Sequence, residues 1–577
     1  MENNKNILMA TILSAIVLVG WTWFFEKPRL EKKEELHKEY LQSRNGSEEV
    51  QRVVKTSVKK DVVESKGLSI EAAVSFKDRA DIIKEGERVK ISSHSLHGSI
   101  LLRGARFDDL TLAKYFKTTK KEEEVILFSP SDSKERYFAD FGWASSDKNL
   151  DLPGPNTLWK SDKKNLTPES GVTLTWQNKQ RIKFVIKVSI DDDYMFSVDQ
   201  EIINGSRKEI SAAVYGRVNR SLGQLEKSIY ILHEGAIGEF DEILNEVTYK
   251  DLIDDGKVKF EQKKGGWLGI TDKYWLSSIL PDKKLQYNAS FDFKYHNQNK
   301  LFNTEFIGQE YKLAPKEKLE FNHHLFAGAK KVKLLDQYRD DYDVKHFDKA
   351  VDFGWFYFLT KPFFYMISFF NDLLGNFGLA ILAMTVLVKA ALFPMANKSY
   401  RAIAKIKQLQ PQIGKFKEKH GKDKISFNKE MMALYKQEKV NPASGCLPVV
   451  FQIPIFFSLY KVLFVTLDMR HATFYGWISD LSAPDPTTMF NLFGLLPFDV
   501  GPSMTIGIWP ILMGLTMFIQ QKLSPVSSDP MQTKILKWMP VVLVFVLSGF
   551  PAGLVIYWTW SNTLSVLQQY VIVRKYK

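Results

Sequence analysis

The sequence predicts a multidomain membrane protein, in which an all-α core of six transmembrane helices carries a large antiparallel β-sandwich. One long apolar segment lies at the N-terminus and five lie near the C-terminus, whereas the stretch between them alternates apolar and polar residues in short runs. The charge is also uneven, because residues 351–577 hold 22 Lys and Arg against 11 Asp and Glu and supply most of the net charge of +13. Such an excess is typical of the cytoplasmic loops of membrane proteins.

The chain begins with an apolar segment that is long enough to cross a bilayer. Residues 7–25 are largely apolar and end in four aromatic residues, which are typical of the belt at a membrane interface. No small-residue cleavage site of a signal peptide follows. We therefore predict an uncleaved transmembrane anchor over residues 1–25, followed by a charged, solvated linker over residues 26–66.

Residues 67–346 are predicted to form the β-sandwich. In residues 182–190 five apolar side chains alternate with mostly polar ones, and a turn at Asp191–Asp193 leads into a second run, so the two form a hairpin. The histidines here are scattered and are interpreted as surface or structural residues: His94, His97, His233, His323 and His324. With Cys446 as the single cysteine, we expect no intrachain disulfide, no metal and no cofactor.

Two apolar segments follow the sandwich, and we expect the first to lie in the membrane interface and the second to cross the membrane. Residues 351–375 are rich in aromatic residues and are interrupted by Lys361 and Pro362, which favours an amphipathic helix lying in the membrane interface. Residues 376–396 are predicted to be transmembrane helix 2 and contain Lys389. Its ammonium either extends to the cytoplasmic interface or faces a polar cavity, and the sequence alone leaves both open.

Residues 397–441 carry twelve Lys and Arg against four Asp and Glu, so they are predicted to be cytoplasmic. Apolar residues recur every three or four positions from Ile406 to Phe416, and a second stripe runs from Phe427 to Tyr435. This pattern predicts a basic helical hairpin. Its positive surface would attract anionic lipid and the acidic segments of a partner.

Residues 442–577 contain four more apolar segments, predicted to be transmembrane helices 3–6. Six spans place both termini in the cytoplasm and residues 26–350 on the other side of the membrane. The last span is polar along one side, and we expect that side to form a cavity with Gln452, Lys389 and Thr385, which lies on the same helix face as Lys389. The alternative is that these polar residues only form hydrogen bonds between helices, which explains an ammonium poorly. The last five spans contain neither Asp nor Glu, which disfavours a proton pump that uses buried carboxylates.

Several stretches resemble the YidC membrane insertase family, in its bacterial branch with a large periplasmic domain. They include KVNPASGCLPVVFQIPIFFSLY, DPMQTKILKWMP, FPAGLVIYWTWSN and GGWLGITDKYW, and the resemblance covers nearly the whole chain. It implies a protein of the inner membrane that inserts and helps to fold nascent membrane proteins without catalysis. It also implies a periplasmic sandwich similar to sugar mutarotases and a hydrophilic groove open to cytoplasm and lipid.

The candidate groove combines the polar residues above with positions implied by the resemblance. Lys389 stands where the family usually has arginine, and Trp558 stands where it usually has tyrosine. The candidate groove residues are Thr385, Lys389, Gln452, Tyr557, Trp558, Ser561 and Asn562.

The resemblance implies nascent membrane proteins as partners, with the Sec translocon and the ribosome as further candidates and no specific nucleic acid. Two other classes of function stay open. A small-solute channel or transporter is disfavoured by the missing carboxylates. A membrane-tethered periplasmic carbohydrate-processing enzyme is suggested only by the sandwich.

Overall fold

A computed structural model describes residues 78–223, 232–296, 299–421, 423–441, 447–496, 506–523 and 530–575. The predicted N-terminal anchor and charged linker lie outside the described residues. So do the first residues of the predicted sandwich.

The first half of the described chain forms two large sheets, preceded by helix α1 (Arg79–Lys84). The strands are β1 (Arg88–Ser92), β2 (Leu96–Leu101), β3 (Arg106–Phe116), β4 (Glu124–Phe128), β5 (Tyr137–Ala144), β6 (Lys160–Ser161), β7 (Asn165–Leu166), β8 (Val172–Gln177), β9 (Ile182–Ile190), β10 (Met195–Asn204), β11 (Ile210–Leu222), β12 (Gly235–Phe240), β13 (Ile243–Thr248), β14 (Lys257–Lys264), β15 (Trp267–Thr271), β16 (Trp275–Leu280), β17 (Gln286–His296), β18 (Asn299–Gly308), β19 (Tyr311–Leu313) and β20 (Lys318–Ala329). One sheet runs β14-β17-β18-β11-β5-β3-β2-β1-β7, with β19 and β4 at its side. The other runs β13-β12-β15-β16-β20-β10-β9-β8-β6.

The hairpin of β9 and β10 shows how the alternating pattern produces the sandwich. The two strands pair antiparallel, with Ile190 opposite Phe196. The alternating apolar residues of β9 are all buried, because they face the second sheet. Across the core, the rings of Phe107 and Phe196 meet edge to face, with centroids 5.5 Å apart. The predicted β-sandwich is confirmed.

The second half of the described chain is helical. A short helix α2 (Tyr249–Asp255) lies within the sandwich, and a 3-10 turn (Phe347–Ala350) follows α3. The remaining helices are α3 (Val332–Asp341), α4 (Tyr357–Leu374), α5 (Phe377–Ala391), α6 (Phe393–His420), α7 (Lys424–Gln437), α8 (Leu447–Val465), α9 (Ile508–Leu523), α10 (Pro530–Leu547) and α11 (Ala552–Lys575). The predicted helical C-terminal region is confirmed, and the count of six spans stays a prediction.

By length and composition, none of the helices in the described ranges passes alone as a membrane span. Helices α5 and α6 pass that test only as a pair, with a bend of 67° between them. The break lies at Leu392, inside the predicted second span, because Pro394 suits the first turn of a new helix but not the interior of an old one.

Helix α10 is longer than its apolar sequence. The sequence predicts an apolar fifth span of about fifteen residues over 535–549, whereas the helix has 18 residues and starts at Pro530, a residue favoured at the beginning of a helix. Its length is therefore about 27 Å, close to the thickness of the hydrocarbon layer. The added residues at its start include the polar Gln532, Thr533 and Lys534, so a short apolar fifth span with local thinning of the membrane stays a prediction.

Three ionic contacts, made by two lysines, tie the sandwich to the helices. Lys361 of α4 lies 2.6 Å from Asp336 of α3 and 2.7 Å from Asp348. Lys461 of α8 lies 3.0 Å from Asp352, at the start of the connection to α4. All of these side chains are largely buried, so the ion pairs are screened by salt less than pairs at the surface.

Helices α6 and α7 form the hairpin that the apolar stripes predicted. Leu409 and Ile413 pack against Leu434 and Tyr435, and these four side chains are buried. The seam is small, so each of its side chains contributes a large share of the stability of the hairpin.

We predict that Leu434→Ala destabilises α7 by about 2 kcal/mol, because it opens a cavity in this seam. Backbone hydrogen exchange of residues 424–437, measured by mass spectrometry, should become roughly 30-fold faster. Met432→Ala is the matched control, since this side chain is 38% exposed. Equal exchange in the two variants would contradict the packing described here.

Candidate functional site

A chain of hydrogen bonds joins three helices around Lys389. Lys389 belongs to α5, and its Nζ donates to Oγ of Ser565 on α11 at 2.9 Å. The same Nζ donates to Oε1 of Gln452 on α8 at 3.4 Å. Nε2 of Gln452 donates to the hydroxyl of Tyr557 at 2.5 Å. The ammonium therefore lies between the three helices, in contact with polar side chains.

The polar face of α11 follows from helical spacing. Tyr557, Ser561 and Ser565 are four residues apart, so they lie on one face of the helix, and all three are buried. Oγ of Ser565 donates to the carbonyl oxygen of Ser561 at 2.9 Å. This bond leaves a lone pair of Ser565 to accept from Lys389.

Lys389 has hydrogen-bond acceptors but no counter-charge within the described chain. Its two acceptors are a hydroxyl and an amide oxygen, and no ion pair within the described ranges includes it. An ammonium that is partly removed from water gains strongly from a nearby carboxylate. The site is therefore suited to receive an acidic group from outside the protein.

A cleft of about 410 Å³ opens beside Lys389. Four of its six lining residues are apolar, and Lys389 and Gln568 are the polar ones. The lining consists of Val386, Lys389, Ala390, Phe393, Leu564 and Gln568. The cleft thus offers one charge and one amide in apolar surroundings, which suits a segment that is apolar with an occasional polar group.

The structure brings Lys389, Gln452 and Tyr557 together, with Ser561 contributing its carbonyl oxygen, but the other candidates lie apart. Thr385 is 1% exposed, and its hydroxyl donates to the carbonyl of Ile381 at 2.7 Å. Asn562 faces α9, where its Nδ2 donates to Oγ1 of Thr516 at 3.4 Å. Trp558 packs on Phe456 of α8, with ring centroids 4.8 Å apart.

Two polar residues of the site were absent from the candidate set. Ser565 binds Lys389 directly, and Gln568 lines the cleft. Both belong to the polar side of the last apolar segment, so helical spacing carried a signal for them. The apolar lining residues Val386, Phe393 and Leu564 gave no such signal in the sequence. An apolar residue in the wall of a cleft has the same residue type as one that faces lipid.

Nothing in the described ranges resembles a metal centre, since no group of three or more His, Cys, Asp or Glu side chains could hold an ion there.

Comparisons with known proteins cover the whole chain. A family described as "YidC periplasmic domain" matches residues 88–366, and one described as "60Kd inner membrane protein" matches residues 369–577. Proteins named "Membrane protein insertase YidC" from Rickettsia bellii (strain OSU 85-389) and Rickettsia prowazekii (strain Madrid E) are each 46% identical over 574 residues, which is 99% of both chains.

Two solved structures are also similar. A crystal structure of an active YidC insertase, with its first transmembrane domain resolved, is 16% identical, with a TM-score of 0.34 over 84% of this chain and 93% of that one. A galactose mutarotase related enzyme from Lactobacillus acidophilus is 11% identical, with a TM-score of 0.30 over 42% of this chain and 97% of that one.

We predict that Tyr557→Phe destabilises the helical region by about 1 to 3 kcal/mol, because Nε2 of Gln452 loses its acceptor. The thermal unfolding midpoint of the purified protein should fall by a few degrees. Tyr570→Phe on the same helix is the control, since Tyr570 is 54% exposed. If the two variants had the same thermal unfolding midpoint, Tyr557 would not hold Gln452 in place.

Proposed function

This chain belongs to the YidC family of inner-membrane protein insertases, and we propose that it inserts nascent membrane proteins through a hydrophilic groove centred on Lys389. Its relatives are named insertases, so the protein acts on other membrane proteins and is not an enzyme. This excludes the alternative of a carbohydrate-processing enzyme. No covalent step is needed, because burial of apolar helices in lipid drives insertion.

The observation that carries this proposal is the ammonium of Lys389, which has no counter-charge among the residues that the structure describes. A charged residue at the centre of a membrane helix costs about 2.5 to 3.5 kcal/mol on insertion scales. An Asp or Glu of a client that passes Lys389 would gain a partner, and the hydroxyl of Ser565 and the amide of Gln452 already hold the lysine in position. The groove would thus lower the barrier for short acidic segments.

The apolar surface beside the groove gives a client helix a path into lipid. On α8, the outward side chains Val450, Phe451, Ile453 and Phe457 are between 47% and 59% exposed. They share the helix with Gln452, so a segment leaving the polar site meets apolar side chains within one turn. Lateral release would require no opening of a closed channel.

The basic hairpin of α6 and α7 is proposed to receive the client before it reaches the groove. Helix α6 starts one residue after the end of α5, which carries Lys389, so the hairpin is joined directly to the groove. Its Lys and Arg side chains attract acidic segments and anionic lipid headgroups. We propose that insertion occurs alone or with the Sec translocon, with the ribosome as a further partner on this side.

For topology, we propose six spans with both termini in the cytoplasm and residues 26–350 in the periplasm. The domain limits are those predicted from the sequence, and α4 lies in the interface on the periplasmic side of the inner membrane. The charge bias of residues 397–441 supports this arrangement.

We predict opposite accessibility for cysteines placed at positions 300 and 415. In a Cys446→Ser background, Lys300→Cys should react with a membrane-impermeant maleimide in intact spheroplasts, and Lys415→Cys should react only after the membrane is opened. These positions lie on the sandwich and on the hairpin. Reaction of both from the same side would refute the proposed topology.

We predict that Lys389→Leu slows insertion of a client with an acidic translocated segment by about tenfold, the effect of roughly 1.4 kcal/mol. Lys389→Arg should insert this client at close to the parent rate, because the positive charge is kept. The measurement is a protease-protection assay in proteoliposomes.

A client whose translocated segment is neutral is the matched control for this experiment. Its insertion should change little in Lys389→Leu, because it has no carboxylate to pair with the lysine. If Lys389→Leu inserted the acidic and neutral clients at the parent rate, the proposed role of the charge would be wrong.

A further inference from the structure

A second cleft, separate from the one beside Lys389, lies where the sandwich meets α4. It has a volume of about 630 Å³ and shares no lining residue with the first. Its walls come from the end of α3, the segment through the 3-10 turn and the first turns of α4. The lining residues are Arg339, Asp340, Asp343, Val344, Lys345, His346, Asp348, Lys349, Tyr357 and Lys361.

The floor of this cleft is a fixed ionic network. Asp348 accepts from Lys361 at 2.7 Å and lies 3.4 Å from the guanidinium of Arg339. The hydroxyl of Tyr357 donates to the same carboxylate. Burial opposes ionisation of Asp348, but Lys361, Tyr357 and Arg339 outweigh it and lower its pKa. Asp336 and Asp340 also pair with Lys361 and Arg339, so the cations of the floor already have carboxylate partners and mainly shape the cleft.

The rim differs from the floor because its charges are available to a ligand. Lys349 is half-buried, and its ammonium has neither an ion pair nor a hydrogen bond among the described residues. Asp343 is 84% exposed and meets only the exposed Lys283, at 3.0 Å, a pair that contributes little. Nδ1 of His346 is buried and also lacks a hydrogen-bond partner in the described part of the chain. The rim thus presents a free cation and a weakly paired anion to the same space.

Exposed aromatic residues mark the level of this cleft relative to a membrane. Trp355 and Phe358 flank the lining residue Tyr357 and are 65% and 75% exposed. Tryptophan favours the headgroup level of a bilayer, and phenylalanine favours the apolar side of the same boundary. Farther along α4, Phe369 and Leu373 are also more than 60% exposed. The cleft therefore opens beside the residues that would contact lipid.

We propose that this cleft binds the headgroup of a zwitterionic phospholipid, with its phosphate at Lys349 and its ammonium at Asp343. Four basic and three acidic side chains line the cleft, so its charge is nearly balanced. An anionic headgroup would leave the carboxylate of Asp343 with only its weak pair to Lys283, whereas the ammonium of a zwitterionic headgroup would give it a second partner. The inference rests on the proposed position of α4 in the outer interface, and it assigns a lipid role to the junction of sandwich and membrane.

Native mass spectrometry of the full-length protein with added lipids tests this proposal. The parent should retain phosphatidylethanolamine about tenfold more strongly than phosphatidylglycerol, and Lys349→Glu should remove that difference. Asp343→Lys should reverse the preference toward phosphatidylglycerol. Lys294→Glu on β17 is the control, because this lysine is 74% exposed and distant in sequence from the cleft. It should bind lipid like the parent.

Soluble glycerophosphoethanolamine distinguishes recognition of a headgroup from general adhesion of acyl chains. It should compete with phosphatidylethanolamine in the parent, whereas loss of competition would overturn the headgroup assignment. Equal retention of the two lipids by the parent, or unchanged retention by Lys349→Glu, would also overturn it. None of these readouts depends on client insertion, so a failure here is separate from a failure of the role proposed for Lys389.

Discussion

The proposed insertion site depends on the ammonium of Lys389, which is held between α5, α8 and α11 without a neutralising carboxylate in the described chain. Its hydrogen bonds to Ser565 and Gln452 replace part of its hydration, but no carboxylate in the described chain neutralises it. Tyr557 in turn fixes the amide of Gln452. A fixed ammonium in a polar site without its own carboxylate can favour a passing acidic segment without binding it permanently.

The sandwich holds the helix that carries Gln452. Lys461, nine residues further along α8, forms an ion pair with Asp352 at 3.0 Å. One turn on, the ammonium of Lys273 in the sandwich lies over the ring of Phe464, 3.6 Å from its centroid. Arg470, just beyond α8, donates to the carbonyl of Phe116 at 2.7 Å. These contacts fix the end of α8 opposite to the groove, so the sandwich limits how far this helix can tilt.

Much of this architecture could be predicted from the sequence, because its signals are local. Alternation in β9 and the paired stripes of the hairpin each depend on neighbours within a few residues. The spacing of Tyr557, Ser561 and Ser565 likewise predicted a polar face. Features that depend on distant contacts were not predictable in the same way. Lys361 was interpreted only as an interruption of an aromatic segment, whereas its partner Asp336 lies 25 residues earlier.

Thr385 shows a second limit of sequence patterns. It shares a helix face with Lys389, which made it a groove candidate, but its hydroxyl is satisfied by the carbonyl four residues before it. Spacing defines a face and does not say whether a polar atom on that face is already bonded. The bend at Leu392 was missed for a related reason, because the apolar sequence continues through it while the backbone turns by 67°.

The central claim is that the cleft beside Lys389 is the path of the client's hydrophilic segment. Site-specific photocrosslinking tests it most directly, with a photoreactive residue in place of Gln568, which lines the cleft, and a control in place of Leu515, which is 53% exposed on α9. With a stalled nascent chain, position 568 should crosslink to the segment that is to be translocated, and position 515 should not. Equal crosslinking at both positions, or none at 568, would contradict the account.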